Sequence, residues 1–267
     1  MIRLNKYFLA VLLAVPGLMA RAQGTDNDPE SDFQTRTSVE IDKKISKGFH
    51  VSAAYELRTE DYLQGIDRHQ LTLGTSYKFN DYLKGGLSYS FIERQDASAG
   101  WQPRHRVRLF LTGGYTVGDW RFSLKETLQL THKTGDLNAF QEVRNPLMLK
   151  SRLQVQYKGF ADVEPYAYAE MRHVFNDPAC SATWSTSSQA YSDYKFLGYT
   201  DSYVNRWRGG LGLEWKISKQ HALDFYGMFD FCRDKDIDTN KAGTKLKSLT
   251  YDRTLRTTVG IGYTFSF

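Results

Sequence analysis

Arg104, Arg106 and Arg108 stand two residues apart in this 267-residue chain. That spacing places three guanidinium groups on one face of an extended strand. Guanidinium forks bind carboxylates and phosphates, so the chemistry they offer is ion pairing or anion recognition. Charges recur at alternate positions elsewhere: Glu56, Arg58 and Glu60; Lys150 and Arg152; Glu170 and Arg172; Arg206, Arg208 and Glu214; Asp224 and Asp230; with Arg68 and Arg256 besides. Charges withdrawn from bulk water must pair or stay hydrated. The shared face is therefore either filled by arginine–carboxylate networks or forms a basic constriction that holds or passes small anionic solutes. Arg104, Arg106, Arg108, Arg152, Arg206, Arg208, Glu170 and Glu214 are the candidate residues of that lumen.

Hydrolytic chemistry needs a nucleophile or activated water, a histidine and an orienting acid in contact. His50 and Ser52 share a face but lie beside a short turn. His69, His105, His132 and His173 lie nearer the long connections, without a serine at pairing distance in sequence. No catalytic residue is assigned, and an outer-leaflet lipid-modifying or proteolytic enzyme stands as the alternative. Neither a glycine-rich phosphate loop nor a metal-ligand spacing occurs, so no cofactor and no metal is expected. A surface adhesin or receptor is a further alternative, carried by residues 176–202, whose Trp184, Tyr191, Tyr194 and Tyr199 either stack on sugars or proteins or pack into the mouth of the fold. The two cysteines, Cys180 and Cys232, are predicted near one rim. They form either a bridge that ties the long loop down or two free thiols.

The elements that must position these residues are strands. Eleven segments alternate with period two between turn residues: 34–44, 49–62, 68–80, 83–94, 104–117, 120–133, 147–158, 163–175, 203–217, 222–233 and 249–267. In the third, Leu71, Leu73, Thr75, Tyr77 and Phe79 oppose Gln70, Thr72, Gly74, Ser76 and Lys78. Connections alternate between short and long, with 63–67 out of step, as in outer-membrane barrels with short periplasmic turns and long external loops. The predicted fold is all-β: a transmembrane antiparallel up-and-down barrel of about 10 to 12 strands. Eleven is an awkward count, because single-chain bacterial barrels are usually even; a strand hidden in 24–31, a merged pair, or a first segment inside the lumen would each resolve it. Trp207 and Trp215 lie eight residues apart, about 26 Å along a strand, so with Trp120 and Phe265 they suit aromatic girdles at the edges of a ~25 Å apolar band. Glu126 falls on the outward face between Leu124 and Leu128, which predicts a bulge that shifts register there.

Composition agrees. The chain is 41% hydrophobic and 14% aromatic, yet its mean hydropathy is −0.51, a mixture that alternation explains. Net charge is +5 with Lys and Arg spread along the chain, so no nucleic-acid patch is read. Arg3 and Lys6, an apolar run from Tyr7 to Val15, and a small-residue site ending at Ala22 form a secretory signal peptide. The predicted organisation is a signal peptide over 1–22, a flexible leader over 23–33 and a barrel over 34–267. The ending TTVGIGYTFSF, with Tyr263, Phe265 and Phe267 on one face, resembles the carboxy-terminal signal read by the barrel-assembly machinery of Gram-negative outer membranes. That implies localisation in the outer membrane, with lipid and the assembly machinery as partners.

The chain also resembles an uncharacterised family of bacterial outer-membrane barrels, classed only as a domain of unknown function. The likeness runs from Asp32 and Phe33 through TSVEIDKKISKGFHVSAAYELR, with Glu56 and Arg58, the Arg104–Arg106–Arg108 and Arg152 strands, EPYAYAEMRHVFN over 164–176, and the closing GIGYTFSF. Arg36 stands where many such proteins carry a Trp. The resemblance implies a barrel and no particular substrate.

Overall fold

The computed structural model describes residues 29–96 and 99–267. The predicted signal peptide and residues 23–28 of the predicted leader lie outside the described residues. Thirteen strands follow in chain order: β1 (Glu30–Ser46), β2 (Phe49–Glu60), β3 (Gly65–Lys78), β4 (Leu83–Asp96), β5 (Gly100–Val117), β6 (Trp120–Lys133), β7 (Leu147–Tyr157), β8 (Val163–Asp177), β9 (Cys180–Ser185), β10 (Ala190–Phe196), β11 (Asp201–Lys216), β12 (His221–Thr239) and β13 (Leu246–Ser266). Eleven of them close a barrel in which each strand pairs with its sequence neighbour, β8 passing directly to β11. β9 and β10 form a separate hairpin inside the longest loop, where the sequence predicts only a loop.

The odd strand count needs no hidden partner. β1 pairs with β13 in parallel, from Glu30 opposite Thr254 to Asp42 opposite Ser266, while every other barrel ladder is antiparallel. A parallel seam lets an odd number of strands close on itself, because first and last strands then run in the same direction. Residues 30–33, placed in the leader by the sequence, belong to β1. The seam is locked at one rim, where the Lys44 N–H donates to the Phe267 carbonyl at 2.9 Å and the Phe267 N–H donates to the Asp42 carbonyl at 3.0 Å.

That rim collects the short connections, and the opposite rim collects the long ones. Residue Glu30 begins β1 at the long-loop rim. The connection 61–64 also lies there and is short; Asp61, Tyr62 and Leu63 accept left-handed backbone angles to make it, with φ of 52°, 53° and 72°. The long connection expected over 95–103 is mostly strand, since β4 runs to Asp96 and β5 begins at Gly100. The loop 134–146 and the β9–β10 hairpin meet above the barrel, with Phe196 edge-on to Phe140 at 5.3 Å and the Tyr199 hydroxyl donating to the Ala139 carbonyl at 2.8 Å. Trp184 instead packs on Tyr191, at 4.8 Å, and stays exposed.

The barrel is apolar outside and polar inside. Leu71, Leu73, Leu87, Leu109, Leu111 and Leu211 are exposed on the outer wall, Leu211 at 59%, whereas Glu170, Arg206, Arg208 and Asp230 are buried. Inward tyrosines lie across facing glycines: a Cβ at Gly210 would meet Tyr168 at 2.4 Å, and one at Gly212 would meet Tyr166 at 2.3 Å. Glycine is therefore required at both positions by close approach. The predicted bulge at Glu126 does not form. Register runs unbroken on both sides, Leu111 opposite Glu126 opposite Ser151, so the carboxylate does face outward among leucines, held by the Ser151 hydroxyl at 2.7 Å.

Candidate functional site: a charged lumen

Two charged ladders cross the inner wall. On one side, cross-strand register sets Lys125, Arg152, Glu170, Arg208, Asp230, Arg256 and Asp32 in a single row from β6 round to β1. Signs alternate along most of it, which is the arrangement that cross-strand pairs favour. Glu170 accepts Arg152 at 2.7 Å and Arg206 at 2.7 Å, with Arg208 at 3.8 Å. Asp230 accepts both Nε and Nη2 of Arg208, the latter at 2.6 Å. Of the predicted lumen residues, Arg152, Glu170, Arg206 and Arg208 are thus gathered into one ion-paired cluster. Arg152 also covers the Tyr168 ring at 4.1 Å.

On the other side the register aligns Arg36, Arg58, Arg68 and Arg94 on β1 to β4. Four like charges in a row repel, and two carboxylates offset them: Glu56 binds Arg58 at 2.5 Å and Arg36 at 3.8 Å, while Asp67 binds Arg68 and reaches Arg94 at 3.2 Å. Sequence reading passed over Arg36 and Arg94, because their alignment depends on register between strands and not on spacing within one.

Between these sectors stand cations with neutral partners. Arg106 donates to Thr131 at 3.2 Å and to Gln70 at 3.4 Å; Arg108 donates to Ser90 at 2.9 Å. The Nε atoms of Arg104 and Arg108 are buried without a hydrogen-bond partner, as are those of Arg36 and Arg206. Lys125 lies over the Phe110 ring at 4.6 Å. Lys150 has Thr127 and Arg172 as cross-strand neighbours, and no carboxylate reaches it among the described residues. The predicted row Arg104, Arg106 and Arg108 therefore does share one inner face, where Arg106 and Arg108 donate to hydroxyls and an amide and, among the described residues, to no acid.

Glu214, the last of the predicted lumen residues, sits toward the short-turn rim, directly between Glu164 and Asp224 in the ladder. With Arg152, Gln154, Tyr166, Asp224 and Ser266 it lines a polar cavity of ≈ 400 Å³. This vestibule is acidic at its rim and reaches the basic belt at Arg152.

Trp120, Trp207 and Trp215 are exposed on the outer wall. Phe265 stacks on Phe267 at 5.4 Å, and the Tyr263 hydroxyl lies 2.6 Å from His221 Nδ1, so Tyr263, Phe265 and Phe267 form one aromatic patch at the short-turn rim. His50 is bound to Asp42 at 2.8 Å. The bridge considered for Cys180 and Cys232 is not made; both thiols are free. The reason is direction: Cys232 points into the lumen against the Arg256 guanidinium, whereas Cys180 opens the hairpin above the rim, opposite Phe196. Outside the strands of the barrel, burial pushes the Cys180 thiol above its ordinary range.

Residues 33–241 match a family described as "Protein of unknown function (DUF2490)", and the chain belongs to that family. No curated protein matches it. Among solved structures it is similar to the outer-membrane expressed OmpT of Vibrio cholerae (TM-score 0.35, 13% identity, 78% of this chain and 58% of that one). It is also similar to an anion-selective porin from Comamonas acidovorans (TM-score 0.33, 13% identity, 82% of this chain and 55% of that one). The chain thus spans little more than half the length of either.

Proposed function

We propose that this member of the unknown-function family resides in the outer membrane, with its long loops outside the cell, and that its lumen is a narrow basic passage holding or passing small anionic solutes without catalysis. The observation that carries this reading is the set Arg106, Arg108 and Lys150: inward cations that, among the described residues, stand in ion-pair contact with no carboxylate, Arg106 and Arg108 donating to neutral groups and Lys150 lying opposite Arg172. A purely structural lumen would gain by matching each with an acid, since an unpaired buried charge is costly. An anion entering the lumen supplies the missing charge. The exposed leucine wall and the aromatic patch of Tyr263, Phe265 and Phe267 at its short-turn edge support residence in lipid and handling by the barrel-assembly machinery.

The ion-paired cluster on Glu170 and Asp230 favours a second reading, a structural barrel closed by its own charges. Planar-bilayer recording of the purified protein separates the two. The passage reading expects small, anion-preferring conductance that grows or reverses preference when Arg104, Arg106 and Arg108 are replaced together by serine. A silent bilayer with both proteins supports the closed barrel, and a large cation-selective pore in the unaltered protein rejects the basic passage.

A further inference from the structure

Four of the six histidines lie on the outer wall toward the long-loop rim, a distribution the lumen does not explain. His69 is 2.6 Å from the Tyr55 hydroxyl and His105 is 2.6 Å from the Tyr89 hydroxyl, each through Nδ1. His132 Nδ1 is 2.8 Å from the Asn145 amide oxygen, and the His105 and His132 rings stand cross-strand from one another with centroids 6.4 Å apart. Each ring is thus oriented by one nitrogen, which leaves Nε2 of His105 and His132 free to meet a ligand. The outer wall at the short-turn rim is built differently, from Trp120, Tyr157, Phe160, Phe265 and Phe267 with His221, the rim's other histidine, His50, being turned inward on Asp42.

We propose that His105 and His132 form a binding site on the outer wall for the phosphate of a lipid headgroup in the leaflet that meets the long-loop rim. The inference rests on the reading that this wall faces lipid. The two rings are close enough for one phosphate to bridge, with hydrogen bonds of ~2.8 Å on each side. In the tautomer that accepts the Tyr89 proton at Nδ1, His105 presents Nε2–H. His132 donates Nδ1–H to Asn145 and, as the imidazolium, offers Nε2–H to the phosphate as well. The occupant is a lipid and not a free anion because exposed Leu109, Leu128 and Leu130 run directly below the pair, so a molecule seated on both must carry acyl chains beneath its phosphate. Around the pair the outer wall carries Tyr55, His69 and Tyr89, one carboxylate, Glu93, which lies opposite His69, and lower on β6 a second, Glu126. The acid beside His69 sets the site on His105 and His132.

The full-length protein in phosphatidylcholine nanodiscs containing phosphatidic acid provides the test, read by native mass spectrometry of retained lipid. The site predicts at least fivefold enrichment of phosphatidic acid on the unaltered protein, stronger at pH 6 than at pH 8. Replacing His105 and His132 by alanine should abolish the enrichment, while His221→Ala at the other rim leaves it intact. If the double alanine protein fails to fold, as judged by heat-modifiable gel mobility, the double glutamine protein replaces it and should lose the pH dependence. Enrichment that survives removal of both imidazoles overturns the proposal, and so does its displacement by millimolar inorganic phosphate, which would make a free anion the occupant. Because the measurement is made in nanodiscs, it stands whichever way the conductance experiment falls.

Discussion

Lys150 on β7 and Arg172 on β8 face each other directly across the inner wall, and Arg206 follows Arg172 in the same row on β11. Three cations therefore stand side by side, with Asn205 and Asp234 engaging Arg172, Glu170 engaging Arg206, and no carboxylate among the described residues in ion-pair contact with Lys150. Like charges directly opposed destabilise a ladder by a few tenths to about 1 kcal/mol. Lys150→Met should thus raise stability by about that amount, measured by urea unfolding in lipid vesicles. If conductance is anion-preferring, the same substitution should weaken the preference.

Glu170 is the keystone of the paired sector, since Arg152, Arg206 and Arg208 all lie within 4 Å of its carboxylate. Glu170→Gln leaves three guanidinium groups facing one another. Removing one partner of a buried ion network costs about 3 kcal/mol, so the temperature of heat-modified gel mobility should fall well below that of the unaltered protein. A variant in which Glu170 and Arg206 are both replaced by leucine should recover part of the loss.

Glu126 faces outward with only the Ser151 hydroxyl for company. A carboxylate at apolar depth is a net cost, smaller than the roughly 2–4 kcal/mol of a basic residue there. Glu126→Leu should stabilise the barrel by about 1 kcal/mol in the same unfolding assay, with unchanged conductance, because the side chain does not reach the lumen.

The two free thiols make a chemical prediction. Non-reducing digestion of alkylated protein should give separate Cys180 and Cys232 peptides and no linked pair. In the folded barrel Cys180 should react first, as Cys232 is fully buried. A thiol whose pKa is raised holds less thiolate at a given pH, and the thiolate is the nucleophile. Alkylation of Cys180 should therefore be slower than that of a free cysteine at pH 8 and should climb as pH rises further.

The parallel seam fixes where the chain enters the barrel. β1 starts at the long-loop rim, so an epitope placed directly before Glu30 and one in 240–245 should be reached from the same side of the membrane, and one in 159–161 from the other. Protease protection in whole cells and in spheroplasts checks this.

Alternation alone determined the eleven barrel strands and their inner and outer faces, because a period of two is a local property that each segment carries in its own residues. It located Arg104, Arg106 and Arg108 on one inner face for the same reason. It did not fix connection lengths, since β4, β5 and β12 run on through polar residues that read as loop at 95–103 and 234–239. What lies across from a residue is set by register, and register belongs to pairs of strands. Only the tertiary structure could decide that Arg36, Arg58, Arg68 and Arg94 form one row, that Glu170 gathers arginines from two strands, and that Lys150 meets Arg172. The parallel closure lay equally out of reach, since it joins the first strand to the last. The hairpin β9–β10 escaped because its short strands carry mixed polar residues with no clean alternation. Glu126 is the reverse case: period two placed it outward correctly, and the expected bulge was wrong because a serine on the neighbouring strand, invisible within β6 itself, holds the carboxylate where the pattern puts it.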